Sequence, residues 1–326
     1  MGMTPQDIYQ LVGPELGLVE EELRGYTRSD IAPISEIGEY LLNAGGKRIR
    51  PALLLLTAKM LGSVSPMAIR LGAVIEFIHN ATLVHDDIID AADTRRGRPS
   101  ANSRWGNSMT VLAGDWLYMQ SFAMALSEKN LDVLNTLIGI TQKMVEGELL
   151  QLTLLGKSQI TQKQLLDIVE RKTAYLFSGC TKLPAIAAGM DSGTANQLAE
   201  IGKCLGMAFQ LIDDLLDLTS TSDVLGKPVG SDLREGKMTL PVLFAIRNGR
   251  PEDTIKVQRV LDERDFRSVD RAEILGLVGK SDGLDRTRKL AEEYACRAIQ
   301  LLEEFQPSIY RDAIVGIPEF ILNRTA

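Results

Sequence analysis

A chain of 326 residues, 45% hydrophobic and 24% charged, has the make-up of a globular protein with ample material for a core. Its net charge of −7 excludes nucleic acid as the main partner. Three scattered cysteines, Cys180, Cys204 and Cys296, form no CxxC pair and exclude a disulfide framework and a thiolate zinc site.

Apolar residues recur with helical period along nearly the whole chain. The opening residues lack the basic-then-apolar layout of a signal peptide, and no apolar run reaches the ~18 residues of a membrane span. The expectation is a cytoplasmic protein with no transmembrane segment. Residues 4–25 read as one amphipathic helix, with Ile8, Leu11, Val12 and Leu16 on one side. A second helix covers 33–44 and ends at Gly45-Gly46. A third starts near Arg50-Pro51, where a first-turn proline is well placed, and runs to Gly62. Residues 65–92 form a long central helix, and 93–108 a polar loop rich in Arg, Gly, Pro and Asn. Helices follow at 109–128, 130–155, 162–188 and 192–219, then a second polar loop at 220–238. Shorter helices fill 239–248, 254–263, 268–280, 282–305 and 308–323. Strand patterns are nearly absent and no Pro-, Ser- or Gly-rich linker divides the chain. This predicts one all-α domain, a helical bundle over residues 1–326.

The central helix carries HDDIID, and the helix ending at 219 carries IDDLLD. Asp86 and Asp90 are four apart, and Asp87 and Asp90 three apart, so the three share a face. Ile88 and Ile89 are expected to point towards packing. Asp213, Asp214 and Asp217 repeat the spacing. Carboxylates on one stripe repel each other, and burying them unpaired is costly. A hard divalent cation removes that penalty, and Mg²⁺ is commonly shared between a few carboxylates and substrate phosphates. The bland alternative is a solvated acidic turn. Two copies in apolar helices, each followed by basic residues, favour metal.

GGKRIRP, Gly45 to Pro51, places glycines and cations at a helix start, which suits an anion. It is no Walker loop, because Leu41 stands where the first glycine of GxxxxGK would fall. His79 can share a cavity wall with Asp86, whereas His85 reads as a packing histidine. Glu76 and His79 form one ExxH pair, but a di-iron bundle needs two and the chain has only two histidines. Lys172-Thr173 sits in an apolar helix whose Gly179 and Pro184 would let it bend towards a cavity. Phe209 and Gln210 share the face of Asp213, and loop lysines Lys227 and Lys237 follow the second cluster. Metals, arginines and lysines together suit a departing diphosphate, and the apolar helices suit a hydrocarbon attached to it.

These segments, with LVHDDIIDAADTRRGRPS, GDWLY, KTAYLF and FQLIDDLLDLTSTSDVLGKPVGSDLREGKMTLP, resemble the trans-isoprenyl diphosphate synthases, and within them the medium- and long-chain polyprenyl group. The resemblance runs from about GGKRIRP to the C-terminus. It implies the isoprenoid synthase fold, an all-α bundle around a deep central cavity, and a homodimer. It implies that Asp86, Asp87, Asp90, Asp213, Asp214 and Asp217 bind three Mg²⁺ bridging an allylic diphosphate. Arg95, Lys172, Thr173, Gln210, Lys227 and Lys237 would face that diphosphate, with Lys172 and Lys227 counted among the catalytic residues. Lys47, Arg50, His79 and Arg96 would hold isopentenyl diphosphate.

The implied reaction is ionisation, condensation and elimination, with the two polar loops excluding water. A terpene cyclase would surround its cations with aromatic rings, and only 5% of this chain is aromatic. A short-chain synthase and a non-catalytic subunit of a heteromeric synthase remain as alternatives. The subunit could lack carboxylates or isopentenyl-site cations, and none is missing. Product length turns on Ala81 and Thr82, five and four residues before the first aspartate. Short-chain relatives carry bulky aromatics there. Two small residues predict an open channel continuing past Ile78 to Ile75 and Val74, each helical turn descending about 5.4 Å. The resemblance implies a long product, about seven to ten isoprene units with eight the first expectation, as for quinone side chains, which a membrane would receive.

Overall fold

Wherever the periodicity is long and unbroken, the chain is helical. The computed structural model describes residues 3–43, 45–62, 64–95, 97–220 and 228–324. Helices α1 to α5 span Pro5–Gln10, Gly13–Tyr26, Ala32–Asn43, Ile49–Met60 and Pro66–Ile89. Then come α6 (Ala101–Trp105), α7 (Asn107–Ser127), α8 (Leu131–Leu154), α9 (Gln162–Val169), α10 (Tyr175–Ala187) and α11 (Ser192–Thr219). Six further helices occupy Ser231–Arg234, Leu240–Arg247, Pro251–Glu263, Arg271–Lys280, Gly283–Leu302 and Ile309–Leu322. Among the described residues the strands are two, Thr94–Arg95 and Arg98–Pro99, paired antiparallel.

Three expectations need correction. The helix over 4–25 is two helices, because Pro14 has no N–H to continue the ladder and instead opens α2. The polar loop 93–108 holds the two-residue hairpin and α6, which starts where Ser100 caps the Ser103 N–H. The helix over 162–188 is interrupted by a π-turn at Glu170–Ala174. There α8 comes so close that a Cβ on Gly147 would lie 2.7 Å from Arg171 Cβ and 2.9 Å from the Lys172 nitrogen. Widened turns of this kind are frequent at functional sites.

Packing divides the chain into two units: residues 1–141, 176–202 and 302–316, and residues 142–175, 203–301 and 317–326. In the first unit α5 packs on α2, α4 and α7. Ser65 caps its start and Pro66 occupies its first turn. Residues 71–78 of α5 and 53–56 of α4 are buried on every side. By length and composition α5 could cross a membrane, but 67% of its most apolar stretch is buried within the protein, which marks a core helix. In the second unit a small core joins Val169, Ala174 and Met207, with Leu166 and Tyr294 against it.

Candidate active site

The first aspartate cluster occupies the end of α5. Asp86 and Asp87 lie in its last turn, and Asp90 caps it, its N–H donating to the Asp86 carbonyl at 2.8 Å. Ala91, at φ +49°, turns the chain away. Asp87 is buried, and one of its oxygens, Oδ1, accepts from Arg95 Nε at 2.7 Å and lies 2.6 Å from Nη2. A hydrogen bond between charged partners is stronger than a neutral one. Arg95 comes from the hairpin, which is tied back where Tyr40 Oη donates to the Pro99 carbonyl at 2.6 Å. Asp86 and Asp90 are only partly buried. Ile89 is exposed, contrary to the packing role expected for it, because the helix ends there.

His85 has the packing role expected of it. Its ring stacks on Tyr118, and Nε2 lies 3.2 Å from the Val111 carbonyl and 3.4 Å from Asp115. Gly114 makes the room, since a Cβ there would fall 2.3 Å from His85 Nε2. Burial and then the nearby Asp86 charge push the Tyr118 phenol far up.

The Gly45–Pro51 turn meets α5 further back. Arg50 Nη1 lies 3.1 Å from His79 Nε2, and its guanidinium stands 4.9 Å over the Phe177 ring. Glu76 is taken by Arg48 at 2.6 Å, so the ExxH pair is spent on two arginines. Tyr9 Oη donates to the Lys47 carbonyl, and burial, with Glu76 adding to it, pushes the Tyr9 phenol up to about 12.

The second cluster closes α11. Asp217 is buried, accepting from Ser231 Oγ at 2.7 Å and from the Asp232 N–H at 3.3 Å. Thr173 donates to Gln210 at 2.9 Å, and Gln210 donates on to Asp214 at 3.0 Å. This joins the two residues expected beside the diphosphate to a metal-ligand candidate. Burial pushes the Asp214 carboxyl well above its ordinary range, and the charges of Asp232, Asp213 and Asp217 push it further. Lys172 pairs with Glu148 at 2.5 Å and Lys237 with Glu235 at 2.8 Å. Arg96 and Lys227 lie outside the described residues.

Several partners had no signal in the sequence. Arg324, two positions before the last residue, reaches Asp213 at 2.8 Å while lying over the Phe209 ring. Glu148 was one acidic residue among many on a helix surface. Arg48 reads in the sequence as one of the cations of an anion-binding turn, and nothing there points to its two carboxylate partners.

Ala81, Ile78, Ile75 and Val74 are fully buried, and Thr82 partly so, its hydroxyl donating to the His79 carbonyl at 2.7 Å. At the level of Ile75 the packing is tight. A Cβ on Gly179 would lie 2.6 Å from Ile140 Cδ1 and 3.5 Å from Ile75 Cδ1.

Among the described residues no three His, Cys, Asp or Glu side chains converge closely enough to hold a metal by themselves. The donor set still fits Mg²⁺, which binds few carboxylates and takes its remaining oxygens from water and phosphate. The negative charge gathered around buried Asp214 is the charge a divalent cation offsets.

A family model described as polyprenyl synthetase matches residues 31–276. The chain is 36% identical over 322 residues to octaprenyl diphosphate synthase of Escherichia coli strain K12, covering 99% of each. It is 36% identical over 320 residues to all-trans-nonaprenyl-diphosphate synthase of Rhodobacter capsulatus, covering 98% of each. Among solved structures, polyprenyl synthase from Caulobacter crescentus CB15, complexed with calcium and isoprenyl diphosphate, superposes with a TM-score of 0.95 at 34% identity. That match covers 100% of this chain and 99% of the other.

Proposed function

The chain belongs to the polyprenyl synthetase family and is a trans-polyprenyl diphosphate synthase, a prenyltransferase with the all-α isoprenoid synthase fold; from that premise we propose that it extends an allylic diphosphate to about eight isoprene units. The observation that carries the reading is the pair of aspartate clusters, each closing a long buried helix and each meeting cations or hydrogen-bond donors.

In this reading Asp86, Asp87, Asp90, Asp213, Asp214 and Asp217 would hold the Mg²⁺ ions, three by the family's pattern, that the allylic diphosphate needs. When bound, Mg²⁺ supplies the positive charge that offsets the diphosphate as it leaves. Gln210, steadied by Thr173, orients Asp214, and Ser231 orients Asp217. Arg95, Lys172, Lys227 and Lys237 add fixed positive charge to that diphosphate. Lys47, Arg50, His79 and Arg96 hold isopentenyl diphosphate, with Arg50 steadied by His79 and Phe177. The allylic carbon–oxygen bond breaks as diphosphate leaves, the isopentenyl double bond attacks the freed carbon, and a proton lost to the released diphosphate restores a double bond, with the site closed to water.

The chain works as a single domain: it passes between its two units at five points, all within helical segments (in α8, at the start of α10, in α11 and in the helices Gly283–Leu302 and Ile309–Leu322), not through a linker. It acts as a cytoplasmic homodimer that hands a quinone side-chain precursor to a membrane. Support for the dimer comes from α7, where Leu112, Met119 and Leu126, seven residues apart, are 64%, 61% and 59% exposed. Leu131 and Ile138 continue exposed apolar spacing on α8. An apolar stripe of that extent marks an interaction surface.

Mass measurement of products extracted from isopentenyl and farnesyl diphosphate tests product length. Octaprenyl diphosphate is expected from the wild type. From farnesyl diphosphate, Ala81→Phe should shorten the product to about four units, the first condensation being intact, because only space below the reacting carbon changes. A wild-type product of four units or fewer, or an unchanged long product in the variant, would refute the channel past Ala81.

A further inference from the structure

Two arginines in the Gly45–Pro51 turn meet two residues one turn apart on α5: Arg48 meets Glu76, and Arg50 meets His79. Arg48 also reaches α2, its Nε donating to Glu20 at 2.5 Å while Nη1 donates to Glu76 at 2.6 Å. Its side chain is 12% exposed and that of Glu76 4%. The backbone of Arg48 stands at φ +47°, ψ +33°, in the left-handed region, which a residue with a Cβ rarely adopts. Such a conformation persists only where the surroundings over-determine it. Here one guanidinium is fixed by carboxylates from two helices, and Tyr9 holds the preceding carbonyl.

We propose that Arg48 is the positioning residue of the isopentenyl diphosphate site: the Glu20–Arg48–Glu76 triad locks the turn so that Lys47 and Arg50 are presented to one diphosphate. The inference rests on the assignment of Lys47 and Arg50 to that substrate. Arg48 itself touches no substrate; it faces inward, into two carboxylates. It does two things at once. It fixes the left-handed residue that sets the directions of its neighbours. It also offsets one of the two negative charges of Glu20 and Glu76, which together would repel a diphosphate bound beside them more strongly. Lysine replaces it poorly, because one ammonium lacks the planar fork that spans two carboxylates.

The test is calorimetric titration of isopentenyl diphosphate into the full-length protein with Mg²⁺ present, alongside KM for both substrates. Arg48→Gly suits the left-handed backbone and removes the whole side chain, guanidinium included. It should weaken isopentenyl diphosphate binding by about tenfold to a hundredfold and leave the allylic KM nearly unchanged. Arg48→Lys should fall between it and wild type. Glu20→Gln, which leaves the buried Glu76 pair intact, should shift the same constant in the same direction by about threefold. Arg50→Ala separates the two ideas. Loss of isopentenyl affinity in Arg50→Ala but not in Arg48→Gly overturns the positioning role alone. Affinity unchanged in both overturns the site assignment beneath it. Equal weakening of both substrates by Arg48→Gly makes the triad a scaffold of the fold and overturns the proposal as well.

Discussion

At the end of α5, buried Asp87 is held at one oxygen by the guanidinium of Arg95. At the end of α11, buried Asp214 accepts from the neutral amide of Gln210, while Asp213, Asp217 and Asp232 crowd it with like charge. Both clusters sit at helix C-termini, where the helix dipole disfavours negative charge. The same spacing of aspartates therefore meets two electrostatic settings. One carboxylate is compensated by the chain's own arginine. The other keeps its proton well beyond the ordinary range unless a cation arrives from outside. A motif spacing specifies which oxygens converge; the elements packed around it decide how much charge remains to attract metal.

The largest effect should come from removing a ligand on either side. Asp86→Ala and Asp213→Ala should each lower turnover by about a thousandfold or more with Mg²⁺ saturating, since each deletes a carboxylate proposed to hold the Mg²⁺ whose positive charge stabilises the leaving group. Steady-state assays of the two variants check this. Near wild-type turnover in one of them would reduce the pair of clusters to a single working site.

A smaller effect sharpens the contrast, because its sign differs between the clusters. In EDTA, Asp87→Asn should lower the melting temperature, since Arg95 loses a buried charged partner worth about 1–3 kcal/mol. Asp214→Asn should raise it by about 2 °C, since the cost of burying this carboxyl, charged or newly protonated, disappears. The pH dependence has a matching sign. Folding raises the Asp214 pKa, so the folded chain binds the proton more tightly than the unfolded one. That stabilising share is present at low pH and is lost as pH rises through the folded-state value. Wild type in EDTA should show this downward slope, and Asp214→Asn should lack it. Thermal scans across pH measure both, and equal signs for the two variants would break the comparison.

Much of this was legible in the sequence because it is local. Asp86 and Asp90 share a face by spacing alone, and the GGKRIRP turn announces its cations. Helix boundaries were less legible where one residue acts against the pattern, as at Pro14, or where the helix simply stops, as at Ile89. The π-turn at Lys172 follows from a glycine on another helix, Gly147, which no periodicity within 162–188 can reveal. The partners that tune the site come from far along the chain: Glu20 and Glu76 for Arg48, Glu148 for Lys172, Arg324 for Asp213. Each is an ordinary charged residue until the fold brings it in.

The most direct test of two clusters serving one ligand is Mg²⁺-dependent binding of an unreactive allylic thiodiphosphate, followed by calorimetry in wild type, Asp86→Ala and Asp213→Ala. Either substitution alone should abolish the tight, metal-dependent phase while isopentenyl diphosphate still binds. A variant lacking one cluster that retains tight metal-dependent binding would contradict it.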